Sequence, residues 1–132
     1  MKVVDLPLPL LNYWIARALD LPVDRDGDNL RWTGSVPDEF AAMVKWETDT
    51  GRPLDFIGDL ALGHAVIEWI WISIERPSQG QTVPTWRAVT DWRGSQKPHE
   101  FQGPVSAFGP SGIIAAMRAL VMATFGERVP KS

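Results

Sequence analysis

The chain contains no cysteine. That absence removes a disulfide framework, a thiolate metal site and a cysteine nucleophile together, and it makes a reducing cytoplasm the expected setting. Runs of lysine or arginine are missing as well, and the formal net charge is −3. Duplex nucleic acid is bound by a basic stripe that releases counterions, so a nucleic-acid partner is not expected. No apolar stretch continues unbroken for the roughly twenty residues that a membrane-spanning helix takes. Asp5, Pro7, Pro9 and Arg17 interrupt the apolar core that a signal peptide would need. No membrane association is expected. Internal repeats and low-complexity segments are absent too.

What is present fits one domain of 132 residues with one core. Acidity is uneven: residues 1–60 carry 6 Lys/Arg against 11 Asp/Glu, and residues 61–132 carry 7 against 5. Seven tryptophans accompany a single tyrosine. That number exceeds what a small core usually takes, and buried interface anchors are built from Trp, Tyr and Arg.

The most informative stretch is residues 109–129. Pro110 and Ser111 announce a helix start, and Gly126 suits the left-handed residue that closes one. Between them Ile113, Met117, Leu120, Val121 and Thr124 recur at helical spacing, widened by Ile114 and Met122, with Arg118 as the one charge. A helix this apolar must be wrapped by the rest of the domain. At the other end, Leu10, Tyr13, Trp14, Arg17, Ala18 and Leu21 trace an amphipathic helix that Pro22 ends. Residues 24–29 look at first like a calcium loop, but Gly27 stands fourth where the sixth position is required, and Ser35 stands where a bidentate Glu should. A polar turn leading into a strand over residues 30–33 is the better reading.

Ser35, Pro37, Asp38 and Glu39 predict a further helix that carries Phe40, Met43, Val44 and Glu47 and stops near Gly51. Residues 54–62 read as a short irregular helix or as loop. From His64 the apolar residues alternate, which predicts a strand covered on both faces through Glu75, paired antiparallel with residues 82–90. Residues 94–109 hold five Gly or Pro positions and predict an excursion, with at most one strand near Phe101 or over residues 105–108. The expectation is an α+β domain: helices near residues 10–21, 37–48 and 111–125, and a hairpin of 65–75 with 82–90 packed by the last helix.

The ending GPSGIIAAMRALVMATFGERVP resembles the C-terminal signature of the NinX-like family of phage and prophage proteins, whose function is unknown. The opening LNYWIARALDL resembles that family's first helix, and Trp86-Arg87-Ala88 resembles its W-R-A strand. The family's central pattern survives in part, as Thr48-Asp49 and Gly51-Arg52-Pro53-Leu54. The resemblance implies a bacterial cell hosting phage genes as the setting and supplies no mechanism.

Catalytic patterns are sparse. No G-x-S-x-G elbow is present, and Ser106 and Ser111 have no base nearby in sequence. His64 and His99 lie in different segments, so a metal site with Asp49, Asp55 or Asp59 would have to be assembled by the fold. No metal and no cofactor is expected. The leading expectation is a protein that binds an unidentified protein partner. The alternative is a pocket for a small molecule or nucleobase, with Trp86 or Trp92 as a stacking platform beside Arg87 or Arg93, and an enzyme ranks third. The functional surface is expected at Thr48, Asp49, Gly51, Arg52, Trp86 and Arg87, because the first four are small or polar and turn-forming. A competing reading has Asp49 merely ending a helix and pairing with an arginine for solubility.

Overall fold

In the computed structural model Ser111 caps the last helix as expected: its Oγ accepts the Ile114 amide at 3.2 Å, and α5 runs Gly112–Phe125. Gly126 closes it at φ 89°, donating its amide to the Met122 carbonyl. The structure describes residues 1–50, 54–70, 72–80, 85–90 and 105–130, without the side chains of Glu39, Trp46, Trp69 and Ile70. Helix α1 is Leu8–Ala18, β1 Val23–Asp26, β2 Asn29–Trp32, α2 Asp38–Ala41, α3 Lys45–Thr50 and α4 Leu60–Ile70. Strands β3 Ile72–Glu75, β4 Trp86–Thr90 and β5 Ser106–Gly109 then precede α5. The architecture is α+β: a three-stranded antiparallel sheet in the order β3-β4-β5, a separate β1-β2 hairpin, and α5 packed on the sheet with α1 and α4 against it.

Pairing of Ile74 with Ala88 and of Ala88 with Ala107 sets the two sheet faces. Ile72, Ile74, Trp86, Ala88, Thr90, Ala107 and Gly109 share the inner face, and Ser73, Glu75, Arg87, Val89, Ser106 and Phe108 the outer one. Helix α5 covers the inner face with small residues. A Cβ on Gly109 would stand 2.8 Å from the Ala115 nitrogen, so the sheet end and the helix backbone nearly touch. Arg118, the one charge of α5, reaches round to donate through Nη1 to the Phe108 carbonyl at 2.9 Å. Phe108 pairs with Arg87 outside the hydrogen-bonded register, since Thr90 and Val105 form the bonded pair, so its carbonyl points to the open edge of β5 and the guanidinium caps it.

The strand expected from His64 to Glu75 is corrected over its first half: residues 64–70 are helical and only Ile72–Glu75 is strand. A short run apolar on both faces fits a buried helix as well as a buried strand, and the start signal decides between them. Asp59 caps α4, its Oδ1 accepting the Leu62 amide at 3.2 Å, and Leu62, Gly63, Val66 and Ile67 turn inward at helical spacing. Gly63 passes so close to its neighbours that a Cβ would lie 2.5 Å from the Phe56 carbonyl oxygen and 2.9 Å from Ile113 Cδ1. Gly63→Ala is expected to cost about 1–2 kcal/mol through this overpacking despite its better helix propensity. A denaturant midpoint equal to that of the parent would contradict it.

The helix expected over residues 37–48 is divided, α2 and α3 being joined by a turn at residues 42–44. Ser35 does not cap it: Pro37 occupies that position, without a side-chain bond. Phe40, Val44 and Glu47 nevertheless keep one buried stripe. The polar segment at residues 24–29 is the tip of the β1-β2 hairpin, with Asp26 opposite Asn29 and Gly27 at φ 62° as the first of two loop residues, the arrangement of a II′ turn. Of the two ways to read residues 94–109, β5 takes the second, over residues 106–109, and Phe101 lies outside the described residues. Residues 82–84 of the expected second strand lie outside them as well.

Candidate binding cleft

Asn12 is the one polar residue among the buried positions of α1. Its amide nitrogen donates to Asp55 Oδ1 at 2.9 Å, and its carbonyl oxygen accepts the Phe56 amide at 3.0 Å. Asp55 Oδ1 also accepts the Ile57 and Gly58 amides, at 3.2 and 2.9 Å. Three donors on one oxygen fix the carboxylate and leave Oδ2 without a hydrogen bond among the described residues. Gly58 is needed there, because a Cβ would overlap Asp55 Oδ2. These bonds hold the chain from Leu54 to Asp59 against α1, just ahead of α4.

A cleft of about 650 Å³ opens between three pieces of chain: the first turns of α1, the hairpin tip and residues 54–60. Leu8 and Pro9 contribute from α1, Asp28 and Asn29 from the tip, and Leu54, Ile57 and Leu60 from the third segment. The tip is braced on α1 by Arg25, whose guanidinium carbon lies 5.6 Å from the centre of the Tyr13 ring. Carboxylates of Asp28, Asp55 and Asp59 line the cleft, and no Lys, Arg or His is among its described lining residues. Its rim exposes two large aliphatic side chains, Leu8 at 46% and Leu60 at 60%.

Behind Asp59 stands Glu47, only 4% exposed. Burial foremost, and then a hydrogen bond with Asp59, push the Glu47 carboxyl up to about 7. The same hydrogen bond holds Asp59 below the usual carboxylate range. Below about pH 7 Glu47 keeps its proton while Asp59 is ionised, and the buried Glu47 Oε2 has no hydrogen-bond partner among the described residues.

The residues singled out from sequence fall elsewhere. Thr48 and Asp49 lie on α3, where the Thr48 hydroxyl donates back to the Val44 and Lys45 carbonyls and Asp49 pairs with Lys45 at 2.6 Å. Trp86 and Arg87 lie on β4 with opposite directions. Trp86 packs into the core beside Gly112, while Arg87 faces outward, donating to both Glu75 oxygens at 3.0 and 2.9 Å and to Ser106 Oγ at 3.0 Å. No hydrogen bond or ion pair among the described residues joins the two pairs. Gly51 and Arg52 lie outside the described residues, as do Trp92, Arg93 and His99. Trp86 is half-buried against the core, on the face of β4 opposite Arg87. Trp14, at 7% exposure, stacks edge-on to Phe125 with ring centres 5.3 Å apart, and Trp32 and Trp86 pack against the core, so the described tryptophans do not form an exposed face.

Asp55 and Asp59, considered from sequence only as metal ligands with histidine, meet instead at this cleft. His64 is exposed on α4, and among the described residues no three acidic or histidine side chains are placed to hold a metal ion. No described helix is long and apolar enough to cross a membrane. Sequence reasoning missed Asn12, Asp28, Leu8 and Leu60. The legible signal was D-x-x-G-D ahead of Leu-Ala-Leu at residues 55–62, an aspartate turn followed by a helix cap. No family model and no curated protein matches the chain.

Proposed function

We propose that this chain is a phage- or prophage-derived accessory protein, NinX-like in kind, that acts in the bacterial cytoplasm by binding another protein. The observation that supports this reading is the cleft: a concave site whose rim exposes Leu8 and Leu60 and whose carboxylates are already oriented. Exposed aliphatic side chains around a polar centre are the composition that a protein partner can cover, and preset hydrogen bonds lower the ordering cost of doing so. The surface of Thr48, Asp49, Gly51, Arg52, Trp86 and Arg87 remains the competing location, although Lys45 already neutralises Asp49 and Glu75 already neutralises Arg87.

A pull-down from host lysate with matched variants separates the two. Leu60→Glu and Leu8→Glu, both at exposed positions, are expected to melt like the parent and to lose the protein that the parent recovers. Asp49→Ala, Arg52→Ala and Arg87→Ala are expected to keep it. Loss in the second set alone moves the surface to α3 and β4, and a parent that recovers nothing specific sinks the reading.

A further inference from the structure

We infer that the cleft is a docking groove for a basic segment of the partner protein, in which a lysine or arginine flanked by aliphatic residues meets Asp28, Asp55 and Asp59 while its neighbours cover Leu8 and Leu60. The inference rests on the reading that the chain acts by binding a protein, and it names the chemistry of what is bound.

Charge complementarity chooses the occupant. Three carboxylates line the groove, with no cation among its described lining residues, and residues 1–60 as a whole carry 6 Lys/Arg against 11 Asp/Glu. Such a field repels nucleic acid and acidic peptides and steers a basic one inward. Asp55 is the best-defined acceptor. Its Oδ1 is occupied by Asn12 and two backbone amides, so a cation meeting Oδ2 finds a carboxylate that cannot swing away.

The apolar part of the lining selects a peptide over a small free cation. Leu8 and Leu60 are two of the five large hydrophobic side chains most exposed among the described residues, and both border this one groove. A long basic side chain lays its aliphatic stem on such walls while its head stays with the acids. Flanking aliphatic residues of the segment would withdraw the two leucines from water, and the same cover excludes solvent from the ion pairs, which are weak while exposed. A volume of about 650 Å³ is within the range of clefts that enclose ligands of this bulk.

The experiment measures binding of the full chain to a short fluorescent peptide in which lysine alternates with leucine, by anisotropy at low and at raised salt. The parent is expected to bind, and Asp28→Asn with Asp55→Asn to weaken binding by about tenfold or more with the melting temperature kept, since Asn at 55 retains the Oδ1 acceptor. A charge-matched control, Asp5→Asn with Asp24→Asn, removes the same charge away from the groove and is expected to bind like the parent. Equal weakening in both double variants, competition by spermidine as strong as by peptide, or no binding by the parent overturns the inference. Self-association that Leu60→Glu abolishes, measured by sedimentation, overturns it too, because a second copy would then be the occupant. If peptide binding fails while Leu60→Glu still loses the captured host protein, the binding function stands and only its basic chemistry is wrong.

Discussion

Met117→Asp is expected to abolish cooperative unfolding. Met117 is fully buried on α5, among Ala115, Ala116, Leu120 and Val121, in the helix that meets every strand of the three-stranded sheet and also α1 and α4. Removing a buried methionine side chain costs about 2–5 kcal/mol for lost packing alone. An aspartate there adds an ion in a site closed to bulk solvent and lined by apolar side chains, or else takes up a proton to avoid it. Domains of this size keep only about 5–15 kcal/mol of stability, so the sum leaves little or none. Met117→Leu, which nearly conserves volume, is the control and should cost less than about 1.5 kcal/mol. Thermal melts followed by circular dichroism decide. A sigmoidal transition for the aspartate variant at the parent temperature would mean that α5 is not the organising element of the core.

Glu47→Gln is expected to remove a loss of stability that the parent shows as pH rises. In the folded chain Glu47 keeps its proton up to about 7, against an ordinary value of 4.5, chiefly because it is buried and secondly because it donates to Asp59. The folded state thus holds one more proton than the unfolded state between those two values. Stability must fall as pH rises through that window and level off above it. Asp59 runs the other way: held below its ordinary 3.8, it contributes stability above that value and loses it as the solution becomes more acidic. The pair is therefore most favourable near pH 4 to 5 and costs on the order of 2 kcal/mol by pH 8. Glutamine retains an N–H donor toward Asp59 and does not titrate, so the variant should be the more stable protein at pH 8 and lose its advantage near pH 5. Urea midpoints at both values test this; parallel curves for parent and variant would show that Glu47 does not keep the proton.

How much of this was legible in the chain depended on how local each signal is. Helix α5 was readable end to end because Ser111, Gly126 and the apolar spacing all lie within one segment and agree. The run at residues 64–70 reads equally as strand or helix because Val66, Ile67 and their neighbours satisfy two periods at once, and the cap that resolves the ambiguity, Asp59, stands in a segment whose own pattern fits either helix or loop. Glu47 fell on the expected helical stripe with Phe40 and Val44, yet nothing adjacent in sequence says that an acid on a buried face finds its partner twelve positions on, in Asp59. The cleft was invisible for the same reason. Asn12, Asp28 and Asp55 are unremarked polar residues until the fold joins three distant segments, whereas the W-R pair at residues 86–87 drew notice by its spelling and is divided between core and surface.

Helix α5 follows in the chain every element it packs against, and that order bears on synthesis. Its partners are the 3-10 turn at residues 3–5, α1, α4 and all three strands of the larger sheet, so almost everything it stabilises has been made before it. A ribosome adds about 5–20 residues per second. Until Phe125 emerges, Ile72, Ile74, Trp86 and Ala88, which share the inner face of the sheet, have no α5 to cover them. The β1-β2 hairpin needs no late residues, whereas the contacts of α5 with the 3-10 turn and α1 join segments far apart in the chain, the kind of contact that is slow to close. Should the sheet form before α5 docks, its inner face would stand open, and a chaperone that held that face would do for it what α5 does afterwards.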